Sequence, residues 1–190
     1  LWMLDFLKHH GIRVVNDPIG IMNNNEKLAC FKNHEMSPLS FVGSSIDGFK
    51  KFIKRMIEEK IYAEIIMKPL DLYSGIGVDK FSLYQEDLVD AYQSKILEFG
   101  GSIIVQPFLE EVYKGELRTI FYGAQELGTI IKYPVEGSYL SNIAQGATFE
   151  KIELPHPLRI ACQEMAWDLK ESGVELTAFD ILGGKLTEVN

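Results

Sequence analysis

Hydrophobic positions along the chain recur with two periods, one typical of helices and one typical of strands. The clearest helical pattern has apolar residues on one side and lysines and an arginine largely on the other, with Ile46, Phe49, Ile53, Met56 and Ile57 as its apolar positions. We interpret the basic residues of this segment as a solvated face. Further helices are predicted, three of them followed by glycine, over residues 4–10, 24–33, 87–99 and 157–172.

Short apolar runs bounded by turn residues predict the strands. These runs cover residues 12–15, 63–68, 78–83, 103–106, 117–122, 129–133, 176–182 and 186–190. Between them, the segment 134–148 is polar and irregular. Since most of the strands are joined as hairpins and helices are interleaved with them, we expect an α+β fold rather than a doubly wound parallel sheet.

Composition and charge narrow the classes of protein and of partner. The 190 residues suffice for one domain or two small lobes that share a cleft, and 46% hydrophobic and 24% charged residues are typical of globular proteins. The 27 acidic residues outnumber the 19 basic ones, giving a net charge of -8. Because an acidic surface repels phosphate backbones, we expect no nucleic-acid partner.

The cysteines and the chain ends bear on the cellular context. Cys30 and Cys162 lie far apart and match no metal or redox spacing, so we expect reduced thiols of a cytoplasmic protein. No apolar run approaches the roughly 20 residues that span a bilayer, so no membrane partner is expected. The chain lacks an initial Met and stops at Asn190 within a strand-like run, which suggests a segment of a longer protein.

A lysine and a glycine-containing loop form the first candidate for phosphate binding. Lys68 ends a predicted strand, and Gly75 and Gly77 lie in the loop that follows. Glycines let backbone amides approach an anion, and a nearby lysine neutralises its charge. The order differs from that of a P-loop, because here the lysine precedes the glycines. An ordinary hairpin loop beside a surface lysine remains the alternative.

The last predicted hairpin carries three oxygen-bearing side chains, Asp180, Glu188 and Asn190. A two-residue turn at 183–184 pairs Asp180 with Thr187 and puts Glu188 on the opposite face. A three-residue loop instead sets Asp180 directly across from Glu188. In that register the three side chains share one face and suit magnesium. A solvated hairpin face is the alternative to a metal site.

Taken in order, the segments resemble an ATP-grasp ligase, most closely the bacterial glutathione synthetase family. The resemblance covers nearly all of the chain and rests on Val15-Asn16-Asp17-Pro18, Asn25-Glu26-Lys27-Leu28, Ile65-Ile66-Met67-Lys68-Pro69-Leu70-Asp71, Gln106-Pro107-Phe108-Leu109, Gly115-Glu116-Leu117-Arg118, Asn142-Ile143-Ala144-Gln145-Gly146, Phe179-Asp180-Ile181-Leu182 and Leu186-Thr187-Glu188-Val189-Asn190. Each motif is weak alone, and their order along the chain makes the set specific.

The resemblance implies a fold and a reaction. The fold is an ATP-grasp fold truncated at both ends, in which two α+β lobes hold the nucleotide between them. Residues 1–34 are then a linker from a missing N-terminal domain plus the first helix, 35–107 the N-terminal lobe with a mobile flap loop, and 108–190 the C-terminal lobe with a metal-binding hairpin. The implied reaction activates an acid, γ-glutamylcysteine, with ATP to an acyl phosphate, which an amine, glycine, then attacks to form an amide.

The resemblance also implies roles for individual residues. The adenine lies against Gln106, Pro107, Phe108 and Leu109, and Glu116 lies near the ribose. The phosphates contact Lys27 and Lys68 under a flap that includes Ser74, Gly75, Ile76 and Gly77. Magnesium, or manganese in its place, is held by Asp180, Glu188 and Asn190. The catalytic residues are Arg118, Lys132 and Asn142. The implied partners are small-molecule acids and amines, and a homo-oligomer of the full-length protein stays open.

Two departures from the family pattern concern the substrate. The loop after Asp71 is longer than usual, and its sequence is nearer to that of the ribosomal-protein glutamate ligases. Where the family has two arginines around the irregular segment, this chain has Lys132 and Leu140. A lysine keeps the charge but not the bidentate fork, and a leucine keeps neither. Two alternatives therefore stay open: a ligase that adds an amino acid to another peptide or metabolite, and a catalytically silent nucleotide-binding module.

Overall fold

A computed structural model of the chain describes residues 1–60 and 62–190, which divide into two units. One unit contains residues 1–37 and 111–190, and the other contains residues 38–110. We name them the five-stranded unit and the four-stranded unit, after the sheet that each contains. Residues 1–34, expected to be a linker plus the first helix, thus fall in the same unit as the C-terminal part of the chain.

Helices and strands alternate along the chain with mostly short connections. In order they are α1 (Trp2–His9), α2 (Pro18–Asn23), β1 (Phe41–Gly43), α3 (Ile46–Glu59), β2 (Glu64–Pro69), β3 (Asp79–Ser82), α4 (Leu88–Phe99), β4 (Ile103–Pro107), β5 (Glu116–Tyr122), β6 (Gln125–Tyr133), β7 (Thr148–Ile152), α5 (His156–Glu171), β8 (Leu176–Leu182) and β9 (Lys185–Val189). Short 3-10 helices cover Ala29–Lys32, Glu110–Lys114 and Ile143–Gln145.

The four-stranded unit is an antiparallel sheet with α3 and α4 packed on it. Its strand order is β1-β4-β2-β3. The apolar side of α3 contributes Phe49 and Met56 to the core, where the Phe49 ring stacks on Tyr92 of α4. Burial raises the pKa of Tyr92 to about 12, and its hydroxyl donates to the backbone carbonyl of Gly43 at 2.7 Å. The buried phenol therefore stays protonated, and its hydroxyl has a hydrogen-bond acceptor.

The five-stranded unit is an antiparallel sheet covered on one face by α5. Its strand order is β7-β6-β5-β8-β9. Phe121 and Phe179 meet edge to face in its core, together with Cys162 and Leu169 of α5. Both cysteines of the chain are buried and form no disulfide, and burial raises the pKa of Cys162 to about 12.

None of the helices in the described part of the chain is both long and apolar enough to cross a membrane.

The expected α+β class is confirmed, and most predicted helices and strands are present within a few residues of their expected bounds. Ser45 begins α3 by accepting a hydrogen bond from the amide of Gly48 at 3.1 Å, and α4 ends at Gly100, whose φ is +67°. Side-chain caps and left-handed glycines are local signals, so the sequence alone reveals them.

The prediction of a strand over residues 12–15 is wrong. These described residues form no strand ladder, and the adjacent Asn16 side chain makes the hydrogen bonds instead. Its NH₂ group donates to the Leu176 carbonyl and its Oδ1 accepts from the Leu176 backbone amide, both at 2.7 Å. The chain then enters α2, a helix that the sequence analysis missed, where Asp17 accepts from the amide of Ile19 at 3.0 Å and Pro18 takes the first turn.

The predicted helix over residues 24–33 is also wrong in its bounds, and two strands, β1 and β7, were missed. The Asn25 side chain accepts from the amides of Lys27 and Leu28, a turn that competes with helix, so only Ala29–Lys32 form a short 3-10 helix. Strand β7 was not predicted because all of its residues are exposed at the sheet edge and show no apolar alternation.

Candidate functional site

Charged side chains line one face of the five-stranded sheet. Phe179 and Ile181, the neighbours of Asp180 in β8, lie in the core with α5, so Asp180 lies on the other face. Arg118 of β5 is directly across from Asp180, and Glu188 of β9 is across from it on the other side. We call this group the charged face; its members are Glu116, Arg118, Lys132, Asp180, Glu188 and Asn190.

Asp180 is the most connected member of the charged face. It is buried, with 3% of its surface exposed. Its Oδ1 accepts from the Arg118 Nε at 2.9 Å and from the Lys132 Nζ at 2.9 Å. Its Oδ2 accepts from a second Arg118 nitrogen and from the Asn190 amide at 3.1 Å. Arg118 thus binds the carboxylate in a bidentate manner, the geometry that gives the strongest ion pairs.

Lys132 is buried between two carboxylates. It lies on β6 opposite Glu116, and 3% of its surface is exposed. Its Nζ is 2.8 Å from the Glu116 Oε2 and 2.9 Å from the Asp180 Oδ1. Since one ammonium serves both carboxylates, Lys132 compensates the burial of each.

The hairpin that carries Asp180 and Glu188 has a register that combines the two alternatives derived from the sequence. The turn has two residues, Gly183 and Gly184, because Leu182 pairs with Lys185. A bulge then leaves Thr187 unpaired, so Asp180 nevertheless faces Glu188. The Thr187 hydroxyl makes contacts within the site: it lies 3.2 Å from the Asp180 carbonyl and 3.3 Å from the Glu116 Oε1.

Lys27 lies beside the outer end of the charged face. It is 2% exposed, pairs with the adjacent Glu26, and its Nζ is 3.9 Å from the Glu188 Oε1. The backbone of this segment is joined to β9, since the Val189 amide donates to the Glu26 carbonyl at 2.8 Å. A strand contact therefore keeps this buried lysine near the hairpin.

The charged face raises the affinity of its arginine for a proton. The hydrogen bond to Asp180 raises the pKa of Arg118 above its ordinary value, opposed in part by burial and assisted by the charges of Asp180, Glu116 and Glu188. Arg118 therefore stays charged at all physiological pH. About a third of its side chain is exposed, which leaves part of the guanidinium accessible to an anion.

Asn142 and Leu140 lie in the irregular segment before β7. Asn142 precedes the 3-10 helix Ile143–Gln145, and its backbone carbonyl accepts from the Gln145 amide at 2.9 Å. The structure does not connect Asn142 to the charged face by any described hydrogen bond. It connects Ser141 instead, whose hydroxyl donates to Glu116. Sequence reasoning missed Ser141 and Thr187, because hydroxyl residues in a loop and a bulge carry no distinctive spacing.

The remaining predicted site residues belong to the four-stranded unit. Lys68 is in β2 and buried. In β4, the buried Gln106 donates to the Ser40 hydroxyl at 2.9 Å, and Pro107 follows it. Phe108 is buried beneath the Lys80 ammonium, 4.5 Å from the ring centre, and Leu109 is half-buried. Residues 106–109 form a continuous run from the buried strand β4 into a loop.

Residues 71–78, which we call the glycine loop, are built from two tight turns. The Ile76 amide donates to the Tyr73 carbonyl at 3.1 Å, and the Val78 amide donates to the Gly75 carbonyl at 3.3 Å. Ser74, Gly75 and Gly77 have φ values of +57°, +76° and +72°. Such left-handed conformations are accessible to glycine without strain. Both glycines of this loop therefore adopt a conformation that suits glycine.

Oxygen donors for a metal are present on the charged face, and they are few. Within the described residues, no group of three His, Cys, Asp or Glu side chains is arranged to hold a metal ion. Asp180 and Glu188 supply two carboxylates, and Asn190 supplies an amide next to Asp180. Hard cations such as magnesium prefer oxygen ligands of these kinds, so the donor set fits magnesium in its chemistry. Both oxygens of Asp180 already accept from Arg118, Lys132 and Asn190.

We predict that Lys132 is essential for the stability of the charged face. Replacing it with Met keeps the length of the side chain but leaves Glu116 and Asp180 without their shared cation. Removing one partner of a buried ion pair costs about 3 kcal/mol or more. Urea denaturation of Lys132→Met is expected to show a loss of that size, and Lys132→Arg is expected to recover part of it.

Lys151 provides the matched control on the neighbouring strand. It is exposed in β7, so Lys151→Met changes the net charge equally, and we expect less than about 0.5 kcal/mol of change in stability. If Lys132→Met proves as stable as the wild type, the shared-cation role assigned to Lys132 is wrong.

Comparison with solved structures shows the fold. The D-cycloserine synthetase DcsG superposes with a TM-score of 0.73 at 16% sequence identity, covering 100% of this chain and 70% of that one. The D-alanine–D-alanine ligase from Bacillus anthracis, solved with ATP, superposes with a TM-score of 0.68 at 14% identity, covering 99% of this chain and 62% of that one. The chain therefore has the ATP-grasp fold, as expected.

Comparison of sequences identifies the family. The chain is 26% identical over 188 residues to the glutathione synthetase of Parasynechococcus marenigrum, and 30% identical over 187 residues to that of Mesorhizobium japonicum. The two alignments include 99% and 96% of this chain, which spans 59% and 56% of the length of the two relatives. The family described as prokaryotic glutathione synthetase, ATP-grasp domain, matches residues 26–190, and the chain belongs to this family.

Proposed function

We propose that the protein is an ATP-dependent ligase that joins a carboxylic acid to an amine. The observation that carries this proposal is the charged face, where the partly accessible Arg118 lies beside the oxygen donors Asp180 and Glu188 on neighbouring strands. Phosphoryl transfer depends on positioning and on charge stabilisation. A face that combines a fixed cation with ligands for a metal supports that chemistry, and family membership supports ATP as the phosphoryl donor.

The proposed reaction has two displacement steps. In the first, a carboxylate oxygen of the acid attacks the γ-phosphorus of ATP, the bond to the β,γ-bridging oxygen breaks, and ADP leaves. In the second, the amine nitrogen attacks the carbonyl carbon of the acyl phosphate, inorganic phosphate leaves with the bonding electron pair, and the nitrogen loses a proton. Both steps pass through species with more concentrated negative charge, which the Arg118 guanidinium stabilises.

Each unit contributes residues to the proposed roles. In the four-stranded unit, Gln106 to Leu109 contact adenine, Lys68 contacts the phosphates, and the glycine loop offers its amides to them. In the five-stranded unit, Lys27 is the second phosphate contact and Arg118 faces the reacting carboxylate. The family resemblance supports these roles for Lys68 and Lys27. Both lysines are buried, so water would screen little of the charge that either ammonium presents to an anion.

Magnesium is the proposed metal, with manganese as a substitute, held by Asp180, Glu188 and Asn190. When bound, it would neutralise phosphate charge and orient the phosphate oxygens. Because Arg118 and Lys132 occupy the Asp180 oxygens, these cations must release them in part. Phosphate oxygens are suitable new partners for Arg118, about a third of whose side chain is exposed, while Lys132 keeps its ion pair with Glu116. We therefore expect magnesium and nucleotide to bind cooperatively.

Two roles proposed from the family resemblance need adjustment to the local contacts. Glu116, proposed as a ribose contact, accepts from Ser141 and pairs with Lys132 at 2.8 Å. Lys132, proposed as a catalytic residue, is nearly fully buried by the same contacts. We propose that Lys132 acts through Asp180 as a positioning residue, while Asn142 remains a proposed catalytic residue.

The proposed substrates are γ-glutamylcysteine and glycine. The names of the relatives support them. A second candidate is a ligase that acts on another peptide or metabolite acid. One observation favours it: at the two positions where the family usually has arginines, this chain has the buried Lys132 and Leu140. Neither offers a guanidinium fork to a substrate carboxylate. A catalytically silent module is disfavoured, since a site without chemistry has no need of so many buried charges.

A panel of acids and amines separates the two candidates. Full-length protein is incubated with ATP, magnesium and pairs of acid and amine, and ADP release is measured. We expect stimulation by γ-glutamylcysteine with glycine, since the family supports it. Stimulation by another pair and not by this one would identify the second candidate.

Replacing Arg118 tests the catalytic role. In the full-length protein, Arg118→Ala is expected to lower kcat by about 100-fold or more, because it removes a cation at the developing charge. ATP affinity, measured by calorimetry, is expected to fall by less than about tenfold. Arg118→Lys keeps the charge without the fork and is expected to be intermediate. Unchanged amide formation by Arg118→Ala removes this residue from the mechanism.

Replacing Glu188 tests the metal. Titrations of ATP with and without magnesium are expected to show that Glu188→Gln loses about tenfold or more of the affinity gained from the metal. The control is Glu164→Gln, which changes the charge equally on the exposed side of α5, across the sheet from the charged face. If Glu188→Gln requires magnesium as the wild type does, this carboxylate is not a ligand.

A further inference from the structure

Helix α4 buries a lysine that the proposed mechanism does not use. Lys95 is 4% exposed, although it lies on a helix of the four-stranded unit whose buried side otherwise packs Leu88 and Tyr92 into the core. An ammonium group is costly to bury unless it is paired and hydrogen-bonded. The partners of Lys95 therefore indicate why a cation lies at this position.

The partners of Lys95 lie at the end of the glycine loop. Its Nζ donates to the backbone carbonyl of Gly77 at 2.7 Å and is 2.5 Å from the Asp79 Oδ2. Gly77 is within the loop, and Asp79 is the first residue of β3. One ammonium thus holds both residues that flank Val78, where the loop becomes a strand.

Packing fixes the same point sterically. Gly77 has a φ of +72°, and a Cβ added there would lie 2.8 Å from the Phe99 ring and 3.1 Å from Pro69. Phe99 is the last residue of α4, and Pro69 is the last residue of β2. The C-terminal base of the glycine loop is therefore enclosed by α4 and β2, and Lys95 adds the polar attachment.

The tip of the glycine loop is exposed, in contrast to its base. Tyr73 is 69% exposed and Ile76 is 52% exposed, and the described contacts of the tip include the two turn hydrogen bonds within the loop. A loop with an exposed tip and an anchored base can move as a unit about that base. Anchoring also lowers the entropy that the backbone loses when a ligand orders it.

We propose that Lys95 is a positioning residue that anchors the base of the glycine loop, so that the loop meets the nucleotide phosphates in a preorganised conformation. The proposal rests on the proposed function for the identity of the ligand. It assigns no contact between Lys95 and the nucleotide. Lys95 acts through the Gly77 carbonyl and Asp79, which set the direction of the turns that present the loop amides.

A matched control lies three residues away on the same helix. Tyr92 also donates to a backbone carbonyl from α4, that of Gly43, and also at 2.7 Å. Tyr92→Phe removes this one hydrogen bond and keeps the shape of the side chain. Lys95→Met likewise removes the polar group and keeps the stem. A general effect of destabilising α4 appears in both variants, whereas an effect on the glycine loop appears in Lys95→Met alone.

Two measurements on the full-length protein test the anchor. The first is hydrogen exchange of the Ile76 and Val78 amides without nucleotide, which we expect to be about tenfold faster in Lys95→Met. The second is calorimetric ATP binding with magnesium, which we expect to be about tenfold weaker in that variant. Lys95→Arg is expected to recover part of both. Tyr92→Phe is expected to lower the Tm and to leave both quantities at wild-type values.

The outcomes separate this proposal from the proposed function. If the wild type binds no ATP, the proposed function fails, and the positioning role that depends on it is overturned. If it binds ATP but loop exchange in Lys95→Met matches that in Tyr92→Phe, the anchor is overturned. Faster exchange with unchanged ATP affinity also overturns the positioning role. Should Lys95→Met fail to fold, Asp79→Asn replaces it, since Asp79 is largely exposed and its loss removes the ion pair alone; a smaller rise in loop exchange is then expected.

Discussion

The buried carboxylate of Asp180 is the constraint on which the five-stranded unit and its site depend. A carboxylate with 3% exposure is strongly unfavourable without partners. The partners are Arg118 of β5, Lys132 of β6 and Asn190, the residue that follows β9. Each reaches Asp180 because of strand register, so a slip by one residue would move the partner to the core face. The requirement to neutralise one carboxylate thus specifies the pairing of the sheet as well as the arrangement of the site.

On the proposed function, the same constraint makes the site suited to an anion that binds together with a metal. The cations that neutralise Asp180 are held by it and by Glu116, in a network with three acceptor oxygens. A phosphate that draws Arg118 away leaves Asp180 with an incompletely compensated charge, and a divalent cation restores the balance. On the proposed function, nucleotide and magnesium each remove the penalty that the other creates. The stability of the nucleotide-free sheet and the affinity for the ligand pair are therefore properties of one electrostatic network.

The parts of this protein that could be predicted from the sequence are those with local signals. Amphipathic α3, the glycine after α4 and the hairpin at Gly183 and Gly184 follow from periodicity and turn chemistry. The register of that hairpin could not be derived, because a bulge at Thr187 adds one residue after a two-residue turn, and a bulge depends on contacts with Glu116 that are distant in sequence. Likewise Asn16 carries the pattern of a strand end, yet its side chain binds Leu176, which is 160 residues away. Local pattern specifies the elements here, and long-range polar contacts specify their pairing.

Two lysines without a proposed ligand contact, Lys132 and Lys95, position groups of the proposed site without touching the ligand. Both lysines are almost completely buried, and the ammonium group of each contacts two acceptors. Lys132 contacts Asp180 and Glu116, and Lys95 contacts Gly77 and Asp79. A lysine fits such positions because its apolar stem packs in the core while a compact ammonium satisfies two acceptors at its tip. An arginine at position 132 would place a broad fork where the two carboxylates leave room for one nitrogen. On the proposed function, Lys132 therefore supports the site, and the recognition of a substrate carboxylate falls to other residues, among which Arg118 retains an accessible part of its guanidinium.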